Sequence, residues 1–229
     1  MSHAPHLTLL KRADALIRGR WMLSPDESRR QQFAQLALLI IIFGMIYGGV
    51  MGSSQGLLGH RFYQVVFSAV KVPMLLAATF LLSLPSFFVF NTLFGLRRDL
   101  PRAVAAVIAT QAVLTLILAS LAPLTAFWYV SVASYRSAVL FNAAMFAIAS
   151  LAAQWPLRNY YRPLIERDRR HVWMLRIWIV TYSFVGIQMA WVLRPFIGNP
   201  NITPTFFRPE AWGNAYVNLA RTIWKAVSF

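Results

Sequence analysis

The sequence predicts an all-α fold, a polytopic transmembrane helical bundle of about five spans with an amphipathic surface helix at each terminus. Three observations lead there. The thirty residues from Val65 to Phe94 hold a single ionisable side chain, Lys71, and about twenty apolar residues are enough to cross the hydrocarbon layer as a helix. Hydrophobic residues make up 58% of the chain and charged residues 13%, where a soluble domain carries about 25% charged residues. Finally, the basic residues fall mainly in alternate connections, as expected of a chain threaded back and forth across a bilayer.

The chain divides into a basic amphipathic segment over 1–31, a five-span bundle over 32–195, and an external loop with an interfacial helix over 196–229. In the first part, Leu9, Leu10, Ala13, Leu16 and Ile17 share one helical face, opposite Lys11, Asp14 and Arg18. That pattern belongs to a short helix lying at a membrane surface or to a mobile basic tail. Ser24-Pro25-Asp26-Glu27 reads as a helix start, with Ser24 as cap and Glu27 completing a capping box. The first thirty residues lack the continuous apolar run of a cleavable leader, so the first span is expected to serve as its own insertion signal.

Span one runs from Phe33 to Gly52. Gly44, Gly48 and Gly52 recur every four residues, a small-residue face that lets another helix approach closely. A polar connection, Ser53 to Tyr63, leads to the long second span, where Pro73 and Pro85 predict bends. Ser83, Ser86, Asn91 and Thr92 are available to satisfy the carbonyls those prolines free. After a basic turn over Leu96–Arg102 comes the alanine-rich third span, Ala103 to Ala122, bounded by Pro101 and Pro123. Leu124 to Arg136 reads as an aromatic interfacial loop. Span four covers Ser137 to Gln154, with Ala143, Ala147, Ser150 and Ala153 as a second small-residue strip. Trp155 to Arg176 reads as the longest basic loop. A short fifth span, Ile177 to Leu193, stops at Arg194-Pro195-Phe196-Ile197-Gly198. Beyond it, Glu210 to Val227 places Trp212, Tyr216, Leu219, Ile223 and Val227 at helical spacing, the second amphipathic helix.

Counting Lys and Arg on alternate sides gives fifteen against six. By the positive-inside rule the amino terminus is cytoplasmic and the carboxyl terminus outside. A net charge of +15 would point to nucleic acid in a soluble protein; here the charge sorts by membrane side, and no nucleic-acid partner is expected. The chain has no cysteine, which excludes disulfides, thiolate catalysis and cysteine-held iron–sulfur clusters within it.

Membrane-embedded ionisable groups are functional candidates by default, so Lys71 is the candidate intramembrane charge. Its plain alternative is snorkelling, the four-carbon stem carrying the ammonium to the interface. All seven acidic residues fall in expected loops or surface helices, which leaves no carboxylate for a proton relay. Arg61, Arg136 and Arg194 are candidate anion or lipid contacts. Arg158, Arg162, Arg167, Arg169 and Arg170 form a lipid-surface group suited to anionic lipid, each such residue contributing about 1 kcal/mol near a charged membrane. The four histidines lack metal-ligand spacing. Ser68, one turn from Lys71, is a remote candidate for a Ser-Lys pair. No catalytic, cofactor-binding or metal site is expected, and no cofactor.

Lys71-Val72-Pro73, Leu84-Pro85-Ser86-Phe87, Asn91-Thr92-Leu93-Phe94-Gly95, Tyr160-Tyr161-Arg162-Pro163, Trp191-Val192-Leu193-Arg194-Pro195-Phe196-Ile197-Gly198 and Phe206-Phe207-Arg208-Pro209 together resemble an uncharacterised family of small bacterial multi-pass inner-membrane proteins. That resemblance covers most of the chain beyond Ile46 and implies a location, the bacterial inner (cytoplasmic) membrane, without implying an activity. The five-span layout is also similar, in topology alone, to the Yip1 family of membrane-trafficking proteins.

From these residues the expected function is that of a non-enzymatic accessory, scaffold or assembly subunit, with anionic membrane lipids and other membrane-protein subunits, or further copies of itself, as partners. The alternative is a small anion or lipid-headgroup transporter or channel using Lys71.

Overall fold

The computed structural model describes residues 11, 13–18, 29–132, 134–199, 203–208 and 217. The helix start at Ser24 and the amphipathic helix over Glu210–Val227 lie outside the described residues. Within them the chain is all-helical, and five helices are long and apolar enough to cross a membrane: α1 (Arg29–Gly52), α2 (Phe62–Leu93), α3 (Leu100–Ser131), α4 (Tyr135–Arg167) and α5 (Arg170–Val192). This is a multi-pass membrane protein.

Hydrophobic residues surround each helix almost evenly, because side chains on one face meet lipid and those on the other meet neighbouring helices. Order in space differs from order in sequence. α1 packs along both α2 and α3, α3 packs along α4, and α2 packs along α5, while α4 and α5 touch more lightly. The result is an arc α5–α2–α1–α3–α4. It closes around Phe87, Leu96, Ala106, Tyr161, Met174 and Trp178 at the end of the bundle that holds Asp99. At the opposite end, which holds Lys71, a second core gathers Tyr47, Met51, Val72, Leu118, Met145 and Ile197.

Several expected boundaries shift. α3 continues through Pro123 to Ser131, so most of the expected loop Leu124–Arg136 is helix. α4 runs through Pro156 and Pro163 to Arg167, so most of the expected loop Trp155–Arg176 is helix as well, and the chain turns only at Asp168 and Arg169 before α5. A proline costs one intrahelical bond, and where packing holds the flanking turns the helix passes through it. α2 likewise stays one helix through Pro73 and Pro85. Ser83, Asn91 and Thr92 donate one turn back to the carbonyls of Thr79, Phe87 and Phe88, and not to the Leu81 carbonyl that Pro85 leaves without its donor.

The turn from α2 to α3 is a Schellman arrangement. The Leu96 amide donates to Asn91 O at 2.8 Å and the Gly95 amide to Thr92 O at 3.0 Å, with Gly95 at φ 74°, a conformation open to glycine at little steric cost. It turns Leu96 and Asp99 into the bundle, where both are buried, and leaves Arg97 and Arg98 exposed.

The helical residues 13–17 rest on protein rather than on a membrane surface alone. Ala13 and Leu16 are buried, Leu16 packs with Leu36, Leu39 and Ile40, and the Tyr160 hydroxyl donates to Leu16 O at 2.6 Å. Ile17, on the same expected apolar face, stays exposed.

Candidate functional site

Gln64, Ser68 and Lys71 are spaced four and three residues apart, so α2 presents them on one face. All three are buried. Against this stretch lies α1, brought close by its glycines. A Cβ at Gly48 would stand 2.3 Å from Ser68 O, and one at Gly52 would stand 2.7 Å from Gln64 O. Gly44 meets Pro73 at ordinary contact, 3.4 Å. The close approach of these glycines is therefore made within the chain.

The polar ladder holds a loop. After α5 ends at Val192, the chain passes the cis Arg194–Pro195 bond and dips back into the bundle, where Ile197 and Gly198 are buried. These two residues, assigned from sequence to an external segment, thus belong to the bundle core. The Lys71 ammonium donates to Pro195 O at 2.8 Å. Gln64 Nε2 donates to Pro195 O at 3.2 Å and to Phe196 O at 3.0 Å, and the Ser68 hydroxyl also donates to Phe196 O. Gly198 stands where a Cβ would come 3.2 Å from Gln64 Cγ. One turn before the ladder, Arg61 reaches over to Asn199 O at 2.9 Å.

Lys71 neither snorkels nor faces lipid. It lies nine residues into α2, about 13 Å along the axis at 1.5 Å per residue, with no exposed surface. The Phe206 ring covers it, 5.0 Å from the ammonium to the ring centroid, and Phe206 is itself packed edge-on against Phe67 and Phe207. A carbonyl oxygen and an aromatic face are partners that suit an ammonium where no carboxylate is at hand.

Just outside the ladder stands a cationic pair. The guanidiniums of Arg194 and Arg208 lie 4.4 Å and 4.3 Å from the ring centroid of Trp191. Partial burial and then the Arg208 charge press the Arg194 pKa down, while Tyr135 opposes them. Arg136, next to Tyr135, is exposed on the first turn of α4.

Comparison with family models, with curated proteins and with solved structures finds no match for this chain. Its geometry has to speak for itself. Three blocks of the sequence resemblance, those containing Lys71, Trp191–Gly198 and Phe206–Arg208, meet in this one place.

The other end holds a site that the sequence did not disclose. Asp99, read as a residue of a basic turn, is buried at the bundle end, its Oδ2 3.3 Å from His171 Nε2 and its Oδ1 3.0 Å from Arg167 Nη1. Arg102 stands further off, at 3.9 Å. His171 is fully buried, and its Nδ1 has no hydrogen-bond partner; neither has the hydroxyl of buried Tyr161, whose ring lies edge-on to the imidazole. No group of three potential metal ligands occurs among the described residues.

The basic residues of this end divide. Arg162 pairs with Glu166 at 2.8 Å, Arg167 with Asp99, and Arg170 donates to Phe94 O at 3.3 Å. Arg158 and Arg169 are exposed. Part of the expected lipid-surface group thus fastens the chain to itself.

A third polar cluster, also missed from sequence, ties α1, α3 and α4 together. The Tyr47 hydroxyl donates to Asn142 Oδ1 at 3.0 Å. The Asn142 amide donates to the Tyr129 hydroxyl and to Ala138 O, and Tyr129 reaches Met51 O at 3.4 Å. A tyrosine before the tandem glycines and an asparagine amid alanines were the available signals.

Proposed function

We propose that this chain performs no chemistry of its own and acts as an accessory, scaffold or assembly subunit of a complex in the bacterial inner membrane, with the amino terminus cytoplasmic and the carboxyl terminus outside. The observation that carries this reading is the use made of Lys71. It is the one ionisable group deep in the apolar second span, and it is engaged, with Gln64 and Ser68, in holding the chain's own loop. Polar groups of this end serve architecture. The transport alternative asks for an ammonium facing a wet path, and here the ammonium faces a backbone carbonyl and a phenylalanine.

Two outward faces are open to a partner. Ala143 and Ala147 of the second small-residue strip are exposed on α4, where a neighbouring helix can come close. On α5, Val180 and Ile187 are exposed apolar side chains beyond Trp178. Gentle purification from the native membrane, with mass determination of the intact complex, tests the reading. A second subunit or a second copy is expected, and its association should weaken with Ala143→Leu and Ala147→Leu. A lone monomer that crosslinks to nothing in intact membranes would end the proposal. Reporter fusions at the two termini test the orientation, and reporters active on one and the same side would overturn it.

A further inference from the structure

The structure assigns an anion site to the Arg194–Trp191–Arg208 cluster: we propose that it binds a phosphate group, of the kind carried by a lipid headgroup or by free phosphate. The inference is separate from the scaffold reading and stands or falls without it.

Two like charges share one indole. Each guanidinium lies within 4.4 Å of the Trp191 ring centroid, and no acidic side chain among the described residues meets either. The described carboxylates are engaged elsewhere: Asp14 with Arg18, Asp99 with Arg167 and His171, Glu166 with Arg162, and Asp168 with the Arg170 amide. The Arg208 charge acts unfavourably on Arg194, and an anion bound by the pair relieves that repulsion. The stacking on tryptophan positions the forks without neutralising them.

Donors in the cluster also lack acceptors. Nε and Nη2 of Arg208 and Nε1 of Trp191 are enclosed and have no hydrogen-bond partner. Enclosed donors are ordinarily paired, so a group of them in one place marks where an acceptor belongs. A planar fork offering parallel N–H groups matches the oxygens of a phosphate in a bidentate manner. The height in the membrane fits as well. The cluster begins at Trp191, at the end of α5, and continues just beyond it, the level at which tryptophan sits among headgroups.

Lys71 and Arg61 are not part of this site, since each already donates to a loop carbonyl. They hold the segment that carries Arg194 in place.

The test uses the full chain in a neutral detergent. Thermal stability is followed while short-chain phosphatidylglycerol, short-chain phosphatidylcholine, inorganic phosphate, or sodium chloride at matched ionic strength is added. Phosphatidylglycerol is expected to stabilise the protein well beyond chloride. Stabilisation by inorganic phosphate as well assigns the site to the free anion, and stabilisation by phosphatidylglycerol without it assigns the site to a headgroup; either supports the proposal. Equal responses to phosphatidylglycerol, phosphate and chloride in the wild-type protein would overturn it, whatever the variants do. Arg194→Gln with Arg208→Gln should weaken the response by about tenfold or more, the loss expected from removing one charge-assisted hydrogen bond or several. Arg158→Gln, at the other end, should leave it unchanged. An undiminished response in the double variant would place the anion elsewhere and remove the site. Glu210, which lies outside the described residues, is the competing internal anion. If Glu210→Gln lowers stability and the wild-type protein ignores phosphate, the pair is neutralised within the chain and the proposal fails.

Discussion

Among the described residues each end of the bundle buries one charged side chain, and the two are accommodated in different ways. Asp99 meets fixed side-chain partners: the guanidinium of Arg167 at the close of α4 and the imidazole of His171 in the first turn of α5. Among the described residues Lys71 meets no carboxylate, only a carbonyl of the returning loop and the ring of Phe206. Solvation of Asp99 therefore comes from groups on rigid helices, while solvation of Lys71 comes from a loop that has to be in place. The Asp99 end clamps helices to one another; the Lys71 end fastens a loop to a helix wall. Damage at the first should loosen the bundle as a whole, and damage at the second should free the loop while the helices stay packed.

The glycines beneath the ladder give the largest expected effect, because they separate packing from polar tethering. Gly48→Leu would drive a side chain into the Ser68 backbone, where even a Cβ would stand at 2.3 Å. Backbone cannot yield as a side-chain tip does, so α1 and α2 must part, at a cost of about 3 kcal/mol or more. Gly49→Ala one residue on finds only Val65 Cγ1 at 3.9 Å and should be tolerated. Thermal unfolding in detergent reads both, and a Gly48→Leu protein as stable as wild type would show that the helices are not held this closely.

Next comes the tether itself. Lys71→Met keeps the length of the stem and removes the donor, leaving Pro195 O to Gln64 alone. The expected loss is about 1–2 kcal/mol, confined to the loop. Hydrogen exchange should rise over residues 194–199 and remain unchanged over residues 96–99. A uniform rise across all five helices would contradict the division between the two ends.

Asp99→Asn tests the opposite end. It preserves shape while taking the carboxylate from Arg167 and His171. Because Arg167 is largely exposed and screened by water, a loss of about 1 kcal/mol is expected. It should appear as a lower unfolding temperature for the whole bundle, with exchange over residues 194–199 unaltered at low temperature.

The five spans were legible because burial in lipid demands long uncharged runs, and those runs stand out without any knowledge of partners. Their ends were not. Pro123 read as a boundary, and Pro156 and Pro163 fell in an expected loop, yet each sits inside a helix whose neighbouring turns are held by packing that no local pattern reveals. The pairing of Asp99 with His171 spans 72 residues, and a lone acid in a basic turn carries no sign of where it will point. Lys71 was visible as an anomaly, but its acceptor is a main-chain carbonyl 124 positions away, which every residue possesses and none advertises. Two hints did exist: Phe196 and Ile197 are unusually apolar for an external loop, and an ammonium deep in a span has to find an oxygen somewhere.

The smallest expected effect concerns the surface of the Asp99 end. Arg162 and Glu166 form a hydrogen-bonded pair at 2.8 Å, one helical turn apart, with side chains 77% and 63% exposed. Geometry alone, as good as that of the Asp99 pair, implies equal strength. Exposure decides otherwise, since water and salt screen both charges and fixing two long side chains costs entropy, which leaves exposed i,i+4 pairs contributing about 0.3–0.5 kcal/mol. Arg162→Gln should thus lower the unfolding temperature by less than Asp99→Asn does, and raising the salt concentration should shrink the difference further. If Arg162→Gln proved the more damaging of the two, Asp99 would not be the group that closes this end, and the contrast with Lys71 would have to be drawn from the arginines instead.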